Sequence, residues 1–145
     1  DVDRPLNKRG KQDGEFMPDW LRKKGIIPDY ILSSHAVRAY STAKYFAKAF
    51  KDELQGFDKC RDLYFGSIED WLYEINAIPE TVHLPAFFSH NPNITYMANM
   101  FGADDIDNIP TCGIVHLRST VDRWEDLHFD NSEICGLYFP KLVRL

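Results

Sequence analysis

Long apolar runs are missing from this 145-residue chain. None approaches the roughly twenty residues needed to span a bilayer, so no membrane-spanning helix is expected, and no signal-like segment opens the chain. Basic runs are missing too. With Lys+Arg at 17 and Asp+Glu at 22, the formal charge is -5, which argues against nonspecific nucleic-acid binding and confines any anion site to a local basic pocket. Cysteine is scarce. Cys60, Cys112 and Cys135 are odd in number, far apart and without metal-ligand spacing, so they read as reduced and mostly buried, which suits a cytoplasmic location and gives no metal site. Repeats and low-complexity tracts are absent, and the chain begins at Asp1 instead of methionine, from which an upstream piece is expected.

What is present is enough for one domain around one core: 44% of residues are hydrophobic and 14% aromatic. The stretch 29–50 organises the rest. Its apolar run Tyr30, Ile31, Leu32 stops at Ser33 and Ser34, and Ala36, Val37, Tyr40, Ala43, Ala47 and Phe50 then follow at helical spacing. Arg38 falls in the first turn of that helix, off the apolar stripe. A helix N-terminus offers free N–H groups and a positive dipole end, and a guanidinium there adds a planar fork matched to phosphate oxygens. An anion, phosphate or sulfate, is the ligand this arrangement fits, although an arginine at such a place is more often a solvated surface residue.

Upstream, Asn7 reads as the N-cap of a helix ending at Gly25, weakened by Gly10 and Gly14 and kinked or split at Pro18. Downstream, 52–59 reads as a polar connection and 60–65 as a short strand. Ser67 and Asp70 form a capping-box pattern that opens a helix to about Ala77. Residues 82–88 read as a strand interrupted by Pro85, in a bulge or at an edge. A helix with Ile94, Met97, Ala98 and Phe101 on one side comes next, then strands over 111–117 and 134–139. Strands alternating with helices predict an α/β fold, a mainly parallel sheet with helices on both faces. Ligands in such folds bind outside the carboxyl ends of the strands. Arg38 follows one strand end and His90 another, so two separate parts of the chain deliver a cation and an imidazole to the same edge. His90 alone could equally hydrogen-bond its own loop. His35 either lines the pocket or faces solvent, as exposed turns usually do. His83, His116 and His128 have no metal-ligand spacing to one another.

The pieces DRPLNKRGK, ILSSHAVRAYSTA, SHNPN and PTCG, with Trp124 and a closing Pro140-Lys141, occur in an order that resembles the histidine phosphatase superfamily, and within it the small phosphohistidine phosphatases. The resemblance covers nearly the whole chain and implies a phosphoglycerate mutase-like three-layer sandwich. In that family two arginines and two histidines hold the phosphoryl group, and one histidine, in an Arg-His-Gly motif after the first strand, is transiently phosphorylated. The resemblance implies that Arg38 is the second arginine and His90 the second histidine. Both would neutralise charge on the equatorial oxygens. It places Arg4 at the pocket mouth or on a loop surface, and His35 and Asn91 among residues that bind substrate. No metal or cofactor is implied.

Arg-His-Gly does not occur in these residues, so the nucleophile and first arginine are expected upstream of Asp1, and the single domain 1–145 is expected to be incomplete at its N-terminus, lacking its first strand. That strand would lie inside the sheet, buried on both faces. His35 stands where the family commonly has proline, and Asn93 where it commonly has glycine. The implied activity is hydrolysis of a phosphohistidine-bearing protein through a covalent phosphohistidine, with the leaving imidazole needing little protonation and Glu69 and Asp70 being cap residues before they are acids. Two alternatives are a noncatalytic domain that binds phosphate or phosphoprotein, and a phosphomonoesterase acting on a small phosphorylated substrate, which would need a carboxylic acid near the leaving oxygen.

Overall fold

The computed structural model describes residues 2–144. Strand β1 (Tyr30–Ser33) is the centre of a parallel sheet ordered β2-β1-β3, with β2 at Phe57–Lys59 and β3 at Pro85–Phe88. Side chains alternate across β1. Ile31 packs with Met17, Leu21, Phe46 and Phe50 on one face, while Leu32 packs with Trp71, Ile75, Met97 and Phe101 on the other. Each such burial contributes about 1.5–3 kcal/mol. Helices α1 (Lys8–Lys23) and α2 (Val37–Ala49) therefore cover the first face, and α4 (Ile68–Asn76) and α5 (Asn93–Gly102) the second. A one-turn helix, α3 (Asp62–Phe65), precedes α4, and α6 (Pro140–Val143) closes the order. The α/β arrangement with helices on both faces is as expected.

Strands β4 (Ile114–Ser119) and β5 (Ser132–Tyr138) pair with each other, antiparallel, and form a sheet of their own. Among the described residues β3 has only β1 as a neighbour, and β4 only β5. Between β3 and β4 runs a groove of about 960 Å³, floored and roofed by residues such as Leu21, Phe46, Ile75 and Met97. All four residues of β3 are only half-buried in consequence.

Several local expectations need correction. Residues 60–65 are not a strand: Cys60 extends the sheet by one bond to the Ser33 carbonyl, and the chain then turns into α3, which buries Leu63 and exposes Phe65. The strand lies three residues earlier, inside the supposed polar connection. Its brevity and two exposed residues hide it from pattern. Pro18 does not split α1, which runs unbroken because Met17, Pro18 and Leu21 are buried against the sheet. Pro85, expected in a bulge or at an edge, sits at the first residue of β3, which is an edge strand among the described residues, so its missing donor costs no ladder bond. The cysteines are less buried than expected: Cys60 and Cys112 are half-buried and Cys135 is exposed. Asn7 caps α1 through its Oδ1, and Ser67 and Asp70 form the capping box. No described helix is long and apolar enough to cross a membrane.

Candidate active site

Adjacent parallel strands bring two loops together. The Ser34 N–H donates to the Phe88 carbonyl at 2.8 Å, which ties the end of β1 to the end of β3, and from that point one chain turns into α2 and the other into the Ser89–Asn91 loop. Ser34 Oγ accepts from the Ala36 N–H at 3.3 Å, and the Val37 N–H donates to the Val2 carbonyl at 2.8 Å. Helix α2 starts with no side-chain cap, so beyond the Val37 N–H its positive end is open to an anion.

A cavity of about 170 Å³ lies at this edge, lined by Ala36, Arg38, Tyr64, His90, Asn91 and Pro92. Pockets for drug-sized ligands run from about 300 Å³ upward, so this one suits a small anion. Arg38 has no carboxylate partner among the described residues, and no Asp or Glu lines the cavity. An unanswered guanidinium at an open helix end makes the site electropositive within a chain of net charge -5. Burial, then the charges of Arg38 and His35, hold the His90 imidazole below its ordinary 6.5. His90 Nδ1 is buried without a hydrogen-bond partner. An orphaned lone pair costs less than an orphaned N–H, which leaves the proton of the neutral ring to Nε2.

The sequence-predicted residues are thus partly united. Arg38, His90 and Asn91 share the cavity. Asn91 is a wall whose side chain is already engaged: its amide donates to Asn108 Oδ1 at 3.0 Å and the Ile109 carbonyl at 2.8 Å, and its Oδ1 accepts from the Thr95 hydroxyl. His35 is half-buried, with ring centroids 5.0 Å from Tyr64 and 5.9 Å from Phe65, and its Nδ1 also lacks a partner. Arg4 is exposed and lines neither the cavity nor the groove. Sequence reasoning missed Tyr64: it reads 60–65 as a strand, whereas Tyr64 lies on the one-turn helix α3. It also missed the groove, which shares Arg38, His90 and Asn91 with the cavity and so opens onto it. Among the described residues one cluster, Cys60, Asp62 and Glu74, brings ligand-type atoms within 4.8 Å of one another. Burial raises the Cys60 thiol above its ordinary value.

Solved structures resemble this architecture closely. A protein of Nakamurella multipartitia provisionally named phosphohistidine phosphatase SixA superposes with a TM-score of 0.81 at 20% identity, over 97% of this chain and 87% of that one. One from Agrobacterium tumefaciens, named in the same provisional way, gives 0.77 at 24% identity, over 97% and 86%. The protein histidine phosphatase SixA complexed with tungstate gives 0.81 at 18% identity, over 99% and 88%. No curated protein matches the chain by sequence. The sequence profile of the histidine phosphatase superfamily, branch 1, matches residues 1–96, the span that holds the first three strands and both cavity-forming loops. The chain belongs to the histidine phosphatase superfamily.

Proposed function

We propose that this chain grips the phosphoryl group in a phosphohistidine phosphatase whose nucleophilic histidine sits on a strand upstream of Asp1. The observation that carries the reading is the meeting of an unpaired Arg38 with His90 in a phosphate-sized cavity, at the mouth of a groove bounded by two open strand edges. A strand laid in that groove parallel to β3 would finish beside His90 and complete the single domain. Its apolar side chains would meet both cores, and its backbone would satisfy the edges of β3 and β4.

In the first step the upstream histidine attacks phosphorus, the phosphorus–nitrogen bond of a substrate phosphohistidine breaks, and the departing imidazole takes a proton. Water then attacks the phosphoenzyme, the new phosphorus–nitrogen bond breaks, and inorganic phosphate leaves. Arg38 and His90 hold the equatorial oxygens in both steps. Such preorganised donors commonly supply a factor of about 10² to 10³ each. The absence of Asp or Glu from the cavity lining favours a leaving imidazole over the alkoxide of a small phosphomonoester, which needs an acid. The partner is accordingly a phosphohistidine-bearing protein in the cytoplasm.

The test is Arg38→Ala in the complete protein, whose intact mass should exceed 16.9 kDa. Hydrolysis of a phosphoramidate should fall by a factor of about 10² or more, and a change under about twofold refutes the assignment. Phosphate binding that is lost in His90→Ala but accompanied by no turnover would instead identify a noncatalytic binding domain.

A further inference from the structure

Tyr64 is the one cavity-lining aromatic from outside the two strand-end loops. Its ring lies 4.4 Å from the His90 ring at an interplanar angle of 26°, a stacked pair, and 5.0 Å from the His35 ring. The one-turn helix that carries it is latched to the His90 loop at both ends of that loop. Ser89 Oγ donates to the Leu63 carbonyl at 2.6 Å, and Asn93 Nδ2 donates to the Tyr64 carbonyl at 2.6 Å. Leu63, fully buried, anchors the same helix in the core. His90, by contrast, has no hydrogen bond at its buried nitrogen. Nothing polar fixes the plane of that imidazole, and a stacked ring can.

We propose that Tyr64 is a positioning residue for His90: its ring sets the plane of the imidazole and walls it from water, and Asn93 holds Tyr64 in place by its backbone. The proposal rests on the reading of Arg38 and His90 as phosphate ligands. It also gives Asn93 a task in this chain, since an amide at that position is what reaches the Tyr64 carbonyl. The groups facing His90 are Arg38 from α2, His35 from the turn before it and Tyr64 from α3, and no carboxylate lines the cavity. Loss of the Tyr64 ring removes no charge from beside His90; it frees the imidazole and admits water to it. Water admitted to the imidazole moves its titration upward, toward the ordinary 6.5.

The experiment is an NMR titration of the His90 ring, with calorimetric binding of inorganic phosphate, in the complete protein and in its Tyr64→Phe and Tyr64→Ala variants. No turnover is required. The phenylalanine variant should match the parent within about twofold, and the alanine variant should raise the His90 midpoint and weaken phosphate binding roughly three- to tenfold, the worth of one stacked aromatic pair. An unmoved midpoint in Tyr64→Ala overturns the proposal, and so does a phenylalanine variant as impaired as the alanine one, which would assign the effect to the hydroxyl. If Tyr64→Ala does not fold, Asn93→Ala carries the same test: a shift of the same sign supports the latch, and no shift overturns it. Failure of the parent to bind phosphate at all would count against the phosphatase reading, while the titration would still decide the role of Tyr64.

Discussion

Arg38 and Asp13 are opposite solutions to placing a charge. Asp13 is 3% exposed and fully answered, by Arg144 at 2.6 Å and Arg9 at 3.3 Å, so α6 is pinned to α1. Arg38 is answered by no carboxylate among the described residues. Asp13→Asn should lower the unfolding free energy by about 1.5–3 kcal/mol, the range for hydrogen bonds to charged groups, and a melting temperature equal to the parent's would refute that role. His90 has a pH signature. A folded-state value held below 6.5 means the unfolded chain binds more protons, so the stability this group contributes is intact above 6.5 and lost as pH falls through 6.5 and then through the lower folded value. His116, also lowered by burial, adds to the slope. Bound phosphate should reverse the shift at His90 and be accompanied by proton uptake. Calorimetry in buffers of different ionisation enthalpy measures that uptake, and none below about pH 6.5 would contradict it. The pairing of Arg38 with His90 was legible in the sequence because each follows a strand, and strand ends converge. The Asp13 pair was not, because its partners are 131 positions apart on helices no periodicity links.

At the scale of elements, packing overrides propensity in α1 and confirms it in α4. Gly14 looks like a weak point by helix propensity, yet a Cβ there would lie 2.6 Å from Tyr45 Cδ2, so the glycine is what lets α1 rest on α2. Gly14→Ala gains about 1 kcal/mol of helix propensity and loses about 1–3 kcal/mol to overpacking. The expected net result is a lower melting temperature, and a rise would show that Tyr45 yields freely. In α4 the Ser67 hydroxyl accepts from the Asp70 N–H while the Asp70 carboxylate accepts from the Ser67 N–H. Ser67→Ala should cost about 1 kcal/mol, readable from denaturant unfolding. That box was visible in the sequence because it is a local rule satisfied locally. Strand β2 was not, since three residues with one half-buried side chain carry no period, and its identity comes only from pairing with β1.

The whole molecule is an α/β layer structure with a three-stranded and a two-stranded sheet on either side of an open groove. Alternating strands and helices made the layers readable from the sequence. The resemblance implies a strand missing from inside the sheet, and the place of the gap follows from pairing: among the described residues β4 pairs only with β5 and β3 only with β1. Two open strand edges facing an apolar trough have a consequence for handling the isolated chain. Backbone edges recruit any extended segment, and apolar walls reward whichever one arrives. The 145-residue chain should therefore associate with itself as its concentration rises, and an added peptide of alternating or continuous apolar residues that settles in the trough should disperse it. Sedimentation velocity over a dilution series reads both effects, and a monomer at every concentration would refute them. An opening shaped for a strand is indifferent to whose strand it takes, so the feature that could seat a catalytic histidine also makes the chain adhesive.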